Sequence, residues 1–221
     1  MRHLLSLVAA LALALPALAG DDAEHRFQSS VPRGRVQRVV IDIPYGSFTV
    51  RNGSPSHLAL SGIASRDYDG HRERQWAQKV VNDTSVEIYV NGAEAIVRRR
   101  FGPNAQSWRA KKFTGMDLRI DLPPGIDVKF ETSAGEIDMA GTWGDIDIDL
   151  GAGEIDLRIP RSVVRELKAS CRIGEVRTNL GTEIVTREGI LPGRTVFYNA
   201  AGKSHVHVHT TVGEVDVTLT Q

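Results

Sequence analysis

One short phrase recurs down the second half of this chain: a glycine, an acid, and then alternating aliphatic and polar residues. It starts at Gly135, Gly144, Gly153, Gly174 and Gly213. The first three copies begin nine residues apart, which leaves room for a strand of about five residues and a turn of about four. A repeated unit of turn and short strand is typical of stacked, coiled β-structure. The repeat therefore constrains the scaffold more than any single residue does.

The alternation within each phrase assigns side chains to faces. Successive side chains in a strand point to opposite sides, so Ile137 and Met139 share one face and Glu136 and Asp138 the other. Two units could form one turn of a flattened coil of roughly 18 to 20 residues. We therefore predict an all-β, single-domain, β-solenoid-like stack of short strands. Aliphatic rows lie inside, acidic rows lie outside, and glycines occupy corners where φ is positive or two backbones approach closely.

The first half of the chain alternates less regularly. It predicts strands at 36–43, 47–51, 58–63, 85–90 and 116–122, with a Pro-Tyr-Gly turn between the first two. Good helix formers with a narrow apolar side predict one short helix, at most, at about 69–81. The stretch 98–112 has no sustained apolar period and is predicted to be an exposed loop. Near the C-terminus, we expect a strand after Val164 and a final strand at 215–220 that closes the last turn of the coil.

The N-terminus has the features of a secretory signal peptide. Arg2-His3 precedes an apolar stretch from Leu4 to Leu15, and Ala17-Leu18-Ala19 provides small residues at a cleavage point. An apolar core of about a dozen residues is shorter than the roughly 20 that a membrane-spanning helix needs. We expect residues 1–19 to be removed on export. The mature domain, 20–221, would then be periplasmic or secreted, with no transmembrane segment after cleavage.

Three histidines alternate with valines near the C-terminus. On a strand, His205, His207 and His209 share one face about 6.6 to 7 Å apart, with Val206 and Val208 on the other. Imidazole suits zinc, copper or nickel. Three ligands from one strand fit a tetrahedron poorly, so a metal site would need a carboxylate from a neighbouring strand. The alternative is a solvated histidine row, and weak zinc or copper binding is the functional hypothesis.

A second candidate is a cluster of cations interleaved with aromatic residues. Such a cluster could contact anionic lipid, lipopolysaccharide or polysaccharide, although a solvated loop would have the same composition. Nucleic acid is not expected as a partner of an exported protein. The residues concerned are Arg98, Arg99, Arg100, Trp108, Arg109, Lys111 and Lys112.

The acidic rows admit two further hypotheses. Carboxylates can bind calcium, but calcium-binding nonapeptides place their acids on Gly-rich turns, whereas these lie on strands. Pairs of carboxylates also serve glycosidases, yet no pair is distinguished here and aromatic residues that would stack on sugars are scarce. A solvated face that keeps the sheet soluble explains the rows more simply. They comprise Glu136, Asp138, Asp145, Asp147, Asp149, Glu154 and Asp156.

No motif indicates catalysis. The sequence contains no catalytic triad, phosphate-binding loop or metalloprotease signature. Its only cysteine, Cys171, cannot form an intramolecular disulfide and has no histidine nearby in sequence, so we expect a buried, inert thiol. We expect no resident cofactor.

The chain resembles the adhesin-like family of bacterial envelope proteins, domains of unknown function with repeated Gly–acid–Ile/Val phrases. The resemblance rests on the five phrases, on the lead-in at 122–128 and on the segment 43–50. It implies a β-solenoid-like fold at the cell envelope and no enzyme activity. The implied role is structural or interaction-mediating, towards an unknown envelope protein or an anionic glycan or lipid surface. Alternatives are a periplasmic metal-binding protein and an envelope-stress-associated protein, and the oligomeric state stays open.

Overall fold

The computed structural model describes residues 22–68, 70–112, 114–180, 193–199 and 201–221. The predicted signal peptide, residues 1–19, lies outside these ranges. Within them, none of the helices is both long and apolar enough to cross a membrane. The described part of the chain forms strands joined into one sheet, two short α-helices and a 3₁₀ turn at Pro103–Ala105. The prediction of an all-β fold is confirmed.

The elements follow the chain in a simple order. The first seven strands are β1 (Asp22–Pro32), β2 (Arg38–Asp42), β3 (Tyr45–Asn52), β4 (His57–Asp67), β5 (Thr84–Asn91), β6 (Glu94–Phe101) and β7 (Gly115–Leu122). The longer strands of the second half are β8 (Asp127–Ala140), β9 (Ile146–Pro160), β10 (Val164–Thr178) and β12 (Ser204–Thr220), with the short β11 (Gly193–Tyr198) before the last. Helix α1 (Gly70–Asn82) precedes β5, and helix α2 (Trp108–Lys112) precedes β7.

Four long parallel strands form the centre of the sheet, in the order β8, β9, β12, β10. Each bends once, because one residue of each strand drops out of the pairing: Ser133, Gly151, Thr211 and Arg172. An unpaired residue within a ladder bends the strand that carries it. The bend divides the sheet into two arms.

Each arm continues outward from β8 through different strands. The first arm contains the N-terminal halves of the long strands, then β2, β6 and β5, with β11 at the other side. The second arm contains the C-terminal halves, then β3, β7, β4 and β1. The inner faces of both arms share one buried core. Phe130 of the first arm meets Phe48 of the second edge to face, with ring centroids 5.6 Å apart.

A column of glycines follows the bend from strand to strand. Gly46, Gly135, Gly153, Gly213 and Gly174 are direct neighbours in the ladders of β3, β8, β9, β12 and β10. All five have positive φ, between 135° and 159°. A Cβ on each of the last four would overlap the carbonyl oxygen of the glycine before it. The predicted corner role is therefore confirmed at four of the five phrase starts, where only glycine fits.

The fifth phrase start has a different role. Gly144 lies in the turn between β8 and β9, outside the glycine column. A Cβ there would overlap the carboxylate of Asp127, so close approach rather than positive φ explains this glycine. Two nine-residue units do separate neighbouring rungs, because Gly135 of β8 pairs with Gly153 of β9.

The predicted faces are confirmed along the repeat. The aliphatic members of the first three phrases are all buried: Ile137, Met139, Ile146, Ile148, Ile155 and Leu157. Their acidic neighbours lie on the outer faces, exposed or half-buried. Cys171 is a free, buried thiol, as expected, and its Sγ donates to the carbonyl oxygen of Gly213 at 3.2 Å.

The stacking is not that of a simple solenoid. Among the strands that the structure describes, only β8 and β9 follow one another both in sequence and in the parallel stack, and β12 inserts between β9 and β10. The prediction that the final strand closes the last turn is therefore wrong. The strands β1, β4 and β7 are antiparallel to one another, which a coil of parallel rungs does not allow.

Three smaller expectations also need correction. The predicted Pro-Tyr-Gly turn does not reverse the chain at Pro44, because β2 and β3 both run parallel to β8 and form the two halves of one bent strand. Its carbonyl accepts the backbone N–H groups of Ser133 and Ala134 at the bend. The short helix predicted at about 69–81 is confirmed as α1, but the limit of one helix is wrong, because α2 also forms. The stretch 98–112 is not a loop, since it contains the end of β6 and all of α2.

Candidate functional site

The three histidines lie together on the outer face of the first arm. Val206 and Val208 are buried between them, so the predicted alternation is confirmed. On one side, β9 places Asp147 beside His207 and Asp149 beside His209. On the other side, β10 contributes residues level with all three histidines. We call this surface the histidine face; it comprises Asp145, Asp147, Asp149, Glu166, Lys168, Ser170, His205, His207 and His209.

Each histidine has a different polar neighbour. Asp145 Oδ1 accepts the backbone N–H of His205 at 2.8 Å and lies 3.4 Å from the Nδ1 of the same residue. His207 Nε2 lies 3.7 Å from Glu166 Oε2. His209 Nδ1 lies 3.0 Å from the hydroxyl of Ser170. The row is thus anchored by carboxylates at one end and in the middle, and by a hydroxyl at the other end.

Glu166 is the group whose ionisation the face perturbs. Lys168 Nζ lies 2.8 Å from Glu166 Oε1. The hydrogen bond from Lys168 holds the pKa of Glu166 below its ordinary value, and the charges of Lys168 and His207 act in the same direction. Because a lowered carboxyl pKa favours the ionised form, Glu166 stays an acceptor to a lower pH than a free glutamate does.

A shallow depression of about 450 Å³ lies over the lower half of the histidine face. His207, His209, Asp147 and Asp149 contribute to its lining, together with Lys168 and Ser170. Within the part of the chain that the structure describes, no three His, Cys, Asp or Glu side chains are already arranged around a common point. A metal held here would require rotation of exposed side chains rather than a preformed cage.

The sequence pattern does not assign the carboxylates beside the histidines to this site. It predicts Asp147 and Asp149 as members of a solubilising row and does not single out Glu166. The glycine column offers a signal that could have found them. Asp147 stands six residues before Gly153, as His207 does before Gly213, and the ladder pairs them. Aligning the phrases on their glycines therefore predicts the register of distant strands.

The predicted basic residues do not form a flexible loop. Arg98 and Arg100 share one side of β6, where both approach Glu87: the Arg98 Nε at 2.8 Å and an Arg100 Nη at 3.6 Å from its carboxylate. In α2, a guanidinium nitrogen of Arg109 lies 2.8 Å from Glu73, and the group stacks on Trp76. These cations remain largely exposed, but each has a carboxylate partner that offsets part of its charge.

The remaining cations of this cluster differ from one another. Lys111 is exposed and lies over the ring of Phe101, with Nζ 5.4 Å from its centroid. The side chains of Trp108 and Lys112 lie outside the part that the structure describes.

Arg99 points the other way and is structural. Its guanidinium donates to the carbonyl oxygens of Tyr45 at 2.8 Å and Lys111 at 3.3 Å, and it lies over Phe101. Burial lowers the pKa of Arg99 to about 10, partly opposed by Tyr45. The residue thereby ties α2 and β6 to the bend at β3. It is not available to an external anion, unlike Arg98 and Arg100.

The outer face of the second arm carries the other acidic rows. Arg51 pairs with Asp138, and Arg158 pairs with both Asp138 and Asp156. Arg177 lies 2.8 Å from Glu175 and 3.1 Å from Glu214. Much of the acidity of this face is therefore compensated by arginines from the sheet itself. The calcium and glycosidase hypotheses gain no supporting geometry from the described residues.

Arg99 provides a test of the division between structural and exposed cations. Arg99→Met should lower the free energy of unfolding by about 2 kcal/mol, because two carbonyl oxygens lose a charged donor. Arg98→Met and Arg100→Met, on the solvated side of the same strand, should each change it by less than about 0.5 kcal/mol. Urea unfolding followed by circular dichroism measures all three. Equal losses in the three variants would contradict the assignment.

No protein-family model and no curated protein matches this chain. The fold is similar to the crystal structure of a candidate cell adhesion protein from Clostridium sporogenes, with a TM-score of 0.50. The two chains are 13% identical, and the likeness covers 89% of this chain and 100% of the other. At that identity the likeness shows the fold alone.

A second solved structure is a candidate adhesin from Parabacteroides merdae. It has a TM-score of 0.25 and 8% identity, and the likeness covers 69% of this chain and 68% of the other. Only the first of these two likenesses bears on the predicted resemblance to adhesin-like proteins, and it does so at the level of the fold alone.

Proposed function

We propose that this chain is a non-catalytic, exported protein of the cell envelope that binds a partner through the outer faces of its bent sheet. The observation that carries the proposal is the regularity of those faces. Four parallel strands in register present rows of like side chains, because every strand is aligned at the same glycine column. Such a surface suits binding along a length of partner rather than conversion of a small molecule in a cleft.

The fold likeness supports the same reading. A structure described as a candidate cell adhesion protein shares this fold over its whole length. The signal-peptide pattern at residues 1–19 supports export of the chain to the cell envelope. The partner would be an envelope protein or an anionic glycan or lipid surface, which the exposed cations Arg98, Arg100, Arg109 and Lys111 could contact.

The proposal can be tested by fractionating a Gram-negative host that expresses the full chain. We expect a mature protein that begins at Gly20, measured by intact mass, in the periplasmic and envelope fractions. Purified mature protein should also sediment with washed envelope fragments. Protease treatment of the fragments distinguishes the two kinds of partner. It should abolish sedimentation if the partner is a protein, and leave it unchanged if the partner is a glycan or lipid surface.

The matched control is Leu11→Arg, which interrupts the apolar stretch of the signal peptide without touching the mature domain. This variant should stay in the cytoplasm with its N-terminal segment intact. A wild-type chain that keeps residues 1–19 in the cytoplasm, or a mature protein that never sediments with envelope fragments, would refute the proposal.

A second candidate function is metal binding on the histidine face. The specific observation in its favour is that β9 brings Asp147 and Asp149 level with His207 and His209 around one depression. Two imidazoles and a carboxylate form a donor set that suits zinc. His205, beside Asp145, would extend the site at its upper end. The charged neighbour Lys168 weakens the case, because a cation close by opposes a second one.

Isothermal titration of the purified chain with zinc chloride tests this candidate. His207→Ala combined with His209→Ala should weaken zinc binding at least about tenfold, since two ligands are lost. His57→Ala is the matched control, because His57 is an exposed histidine on β4, away from the face. A wild-type isotherm without heat, or equal weakening in the control, would remove metal binding as a candidate.

A further inference from the structure

An apolar column runs along the outside of the bend, beside the glycine column. The ladders place Tyr45, Ala134, Ala152, Val212 and Ile173 next to one another on β3, β8, β9, β12 and β10. Tyr45 and Val212 are each 44% exposed, and Ile173 is 55% exposed. Between them, Ala152 is exposed and Ala134 is half-buried. Contiguous apolar surface of this kind is a feature of interaction sites.

The sizes of these side chains shape the row. Large residues stand at its ends, and the two small ones, Ala134 and Ala152, lie side by side in the middle. Adjacent strands are about 4.8 Å apart, so the interval from Tyr45 to Val212 spans roughly 14 Å across three strand spacings. We call this surface the corner trough: a floor of two alanines between Tyr45 on one side and Val212 and Ile173 on the other.

A row of glutamates borders the corner trough on the second arm. Glu136, Glu154, Glu214 and Glu175 stand level on four adjacent strands, each two residues beyond the apolar column. Like charges directly opposite one another on neighbouring strands destabilise a sheet. The row therefore carries a cost in stability.

The glutamates of this row differ in whether a basic side chain pairs with them. Arg177 pairs with Glu175 and Glu214 at the end of the row near Val212 and Ile173. In contrast, Glu136 and Glu154 have no hydrogen-bond or ion-pair partner among the described residues. These are the two glutamates directly beside Ala134 and Ala152. The surface thus combines a small apolar floor with two adjacent, uncompensated carboxylates.

We propose that the corner trough docks an extended segment of a partner protein that carries an arginine or lysine. The aliphatic stem of this basic side chain lies over Ala134 and Ala152, and its charged group lies between Glu136 and Glu154. Long basic side chains are apolar along the stem and charged at the tip, which matches the two parts of the surface. The planar guanidinium of arginine can also reach two carboxylates at once. This inference rests on the proposed function and names the partner's chemistry.

A hydrated inorganic cation is a poorer match. Calcium takes six to eight oxygen ligands, whereas two uncompensated carboxylates offer few and the alanine floor offers none. An anionic lipid surface is excluded by charge at this position. An apolar floor favours an occupant with hydrocarbon of its own.

Fluorescence anisotropy with a labelled peptide of alternating leucine and arginine tests the inference at low ionic strength. The companion peptide replaces each arginine by glutamine. We expect Glu136→Gln combined with Glu154→Gln to weaken binding of the arginine peptide about five- to tenfold, as for two exposed ion pairs. The matched control, Asp67→Asn with Glu94→Gln, removes two carboxylate charges at strand ends outside both the corner trough and the histidine face, and should bind as the wild type does.

Two further measurements separate the components of the site. Ala152→Leu keeps every charge but fills the floor, so it should also weaken the arginine peptide. The glutamine double variant should melt at the same temperature as the wild type or higher, because repulsion is relieved, and this establishes that it is folded.

Several outcomes would overturn the inference. These are equal binding of the arginine and glutamine peptides, equal weakening in both double variants, an unaffected Ala152→Leu variant, or displacement of the peptide by millimolar calcium. A chain that sediments with envelope fragments but ignores the arginine peptide would refute the corner trough alone. A chain that binds the peptide but never reaches the envelope would refute the proposed function alone.

Discussion

The carbonyl oxygen of one glycine fills the space that a Cβ would take on the glycine of the next strand, and this contact repeats across the sheet from Gly46 to Gly174. Because no other residue fits there, the strands can align in one register only. A slip of one residue would place a side chain against a backbone oxygen and would also turn every buried aliphatic outward. The column thus fixes both the bend and the identity of the two faces.

The even spacing of side chains on the outer surfaces follows from that register. On the first arm, the strands bring histidines beside aspartates and a lysine. On the second arm, the same alignment produces the glutamate row and leaves an apolar row at the bend. Evenly spaced side chains on rigid strands keep their relative positions, which favours binding of an extended partner. The function proposed for the chain is therefore a consequence of how the strands are aligned rather than of one reactive residue.

The local alternation of residues predicts the faces of the strands, but it does not predict the order of the strands in the sheet. Alternation at Ile137, Ile146 and Ile155 placed the core correctly, since period two requires no knowledge of neighbours. The position of β12 between β9 and β10 could not be predicted in this way, because strand order depends on contacts between residues far apart in sequence. Strand β1 was missed for a related reason: its alternation is weak, and its pairing with β4 supplies the order.

The candidate site shows the same division. His205, His207 and His209 were placed on one face from spacing alone, while their carboxylate neighbours come from strands distant in sequence. The burial of Arg99 cannot be predicted from the sequence, because three consecutive arginines differ only in their side of β6. Arg99 lies on one side, and Arg98 and Arg100 lie on the other. That side depends on the register with β2, where Ile41 pairs with Val97, and on the packing of α2.

Substitution in the glycine column tests the central claim most directly. Gly153→Ala should lower the free energy of unfolding by about 4 kcal/mol or more, because strain at positive φ adds to overlap with the Gly135 carbonyl oxygen. Gly92→Ala, at positive φ in an open turn with no atom within 4 Å of a new Cβ, should cost only about 1 kcal/mol. Urea unfolding of both variants measures the difference. Equal, small losses would contradict the account, since the sheet would then tolerate a side chain where the column allows none.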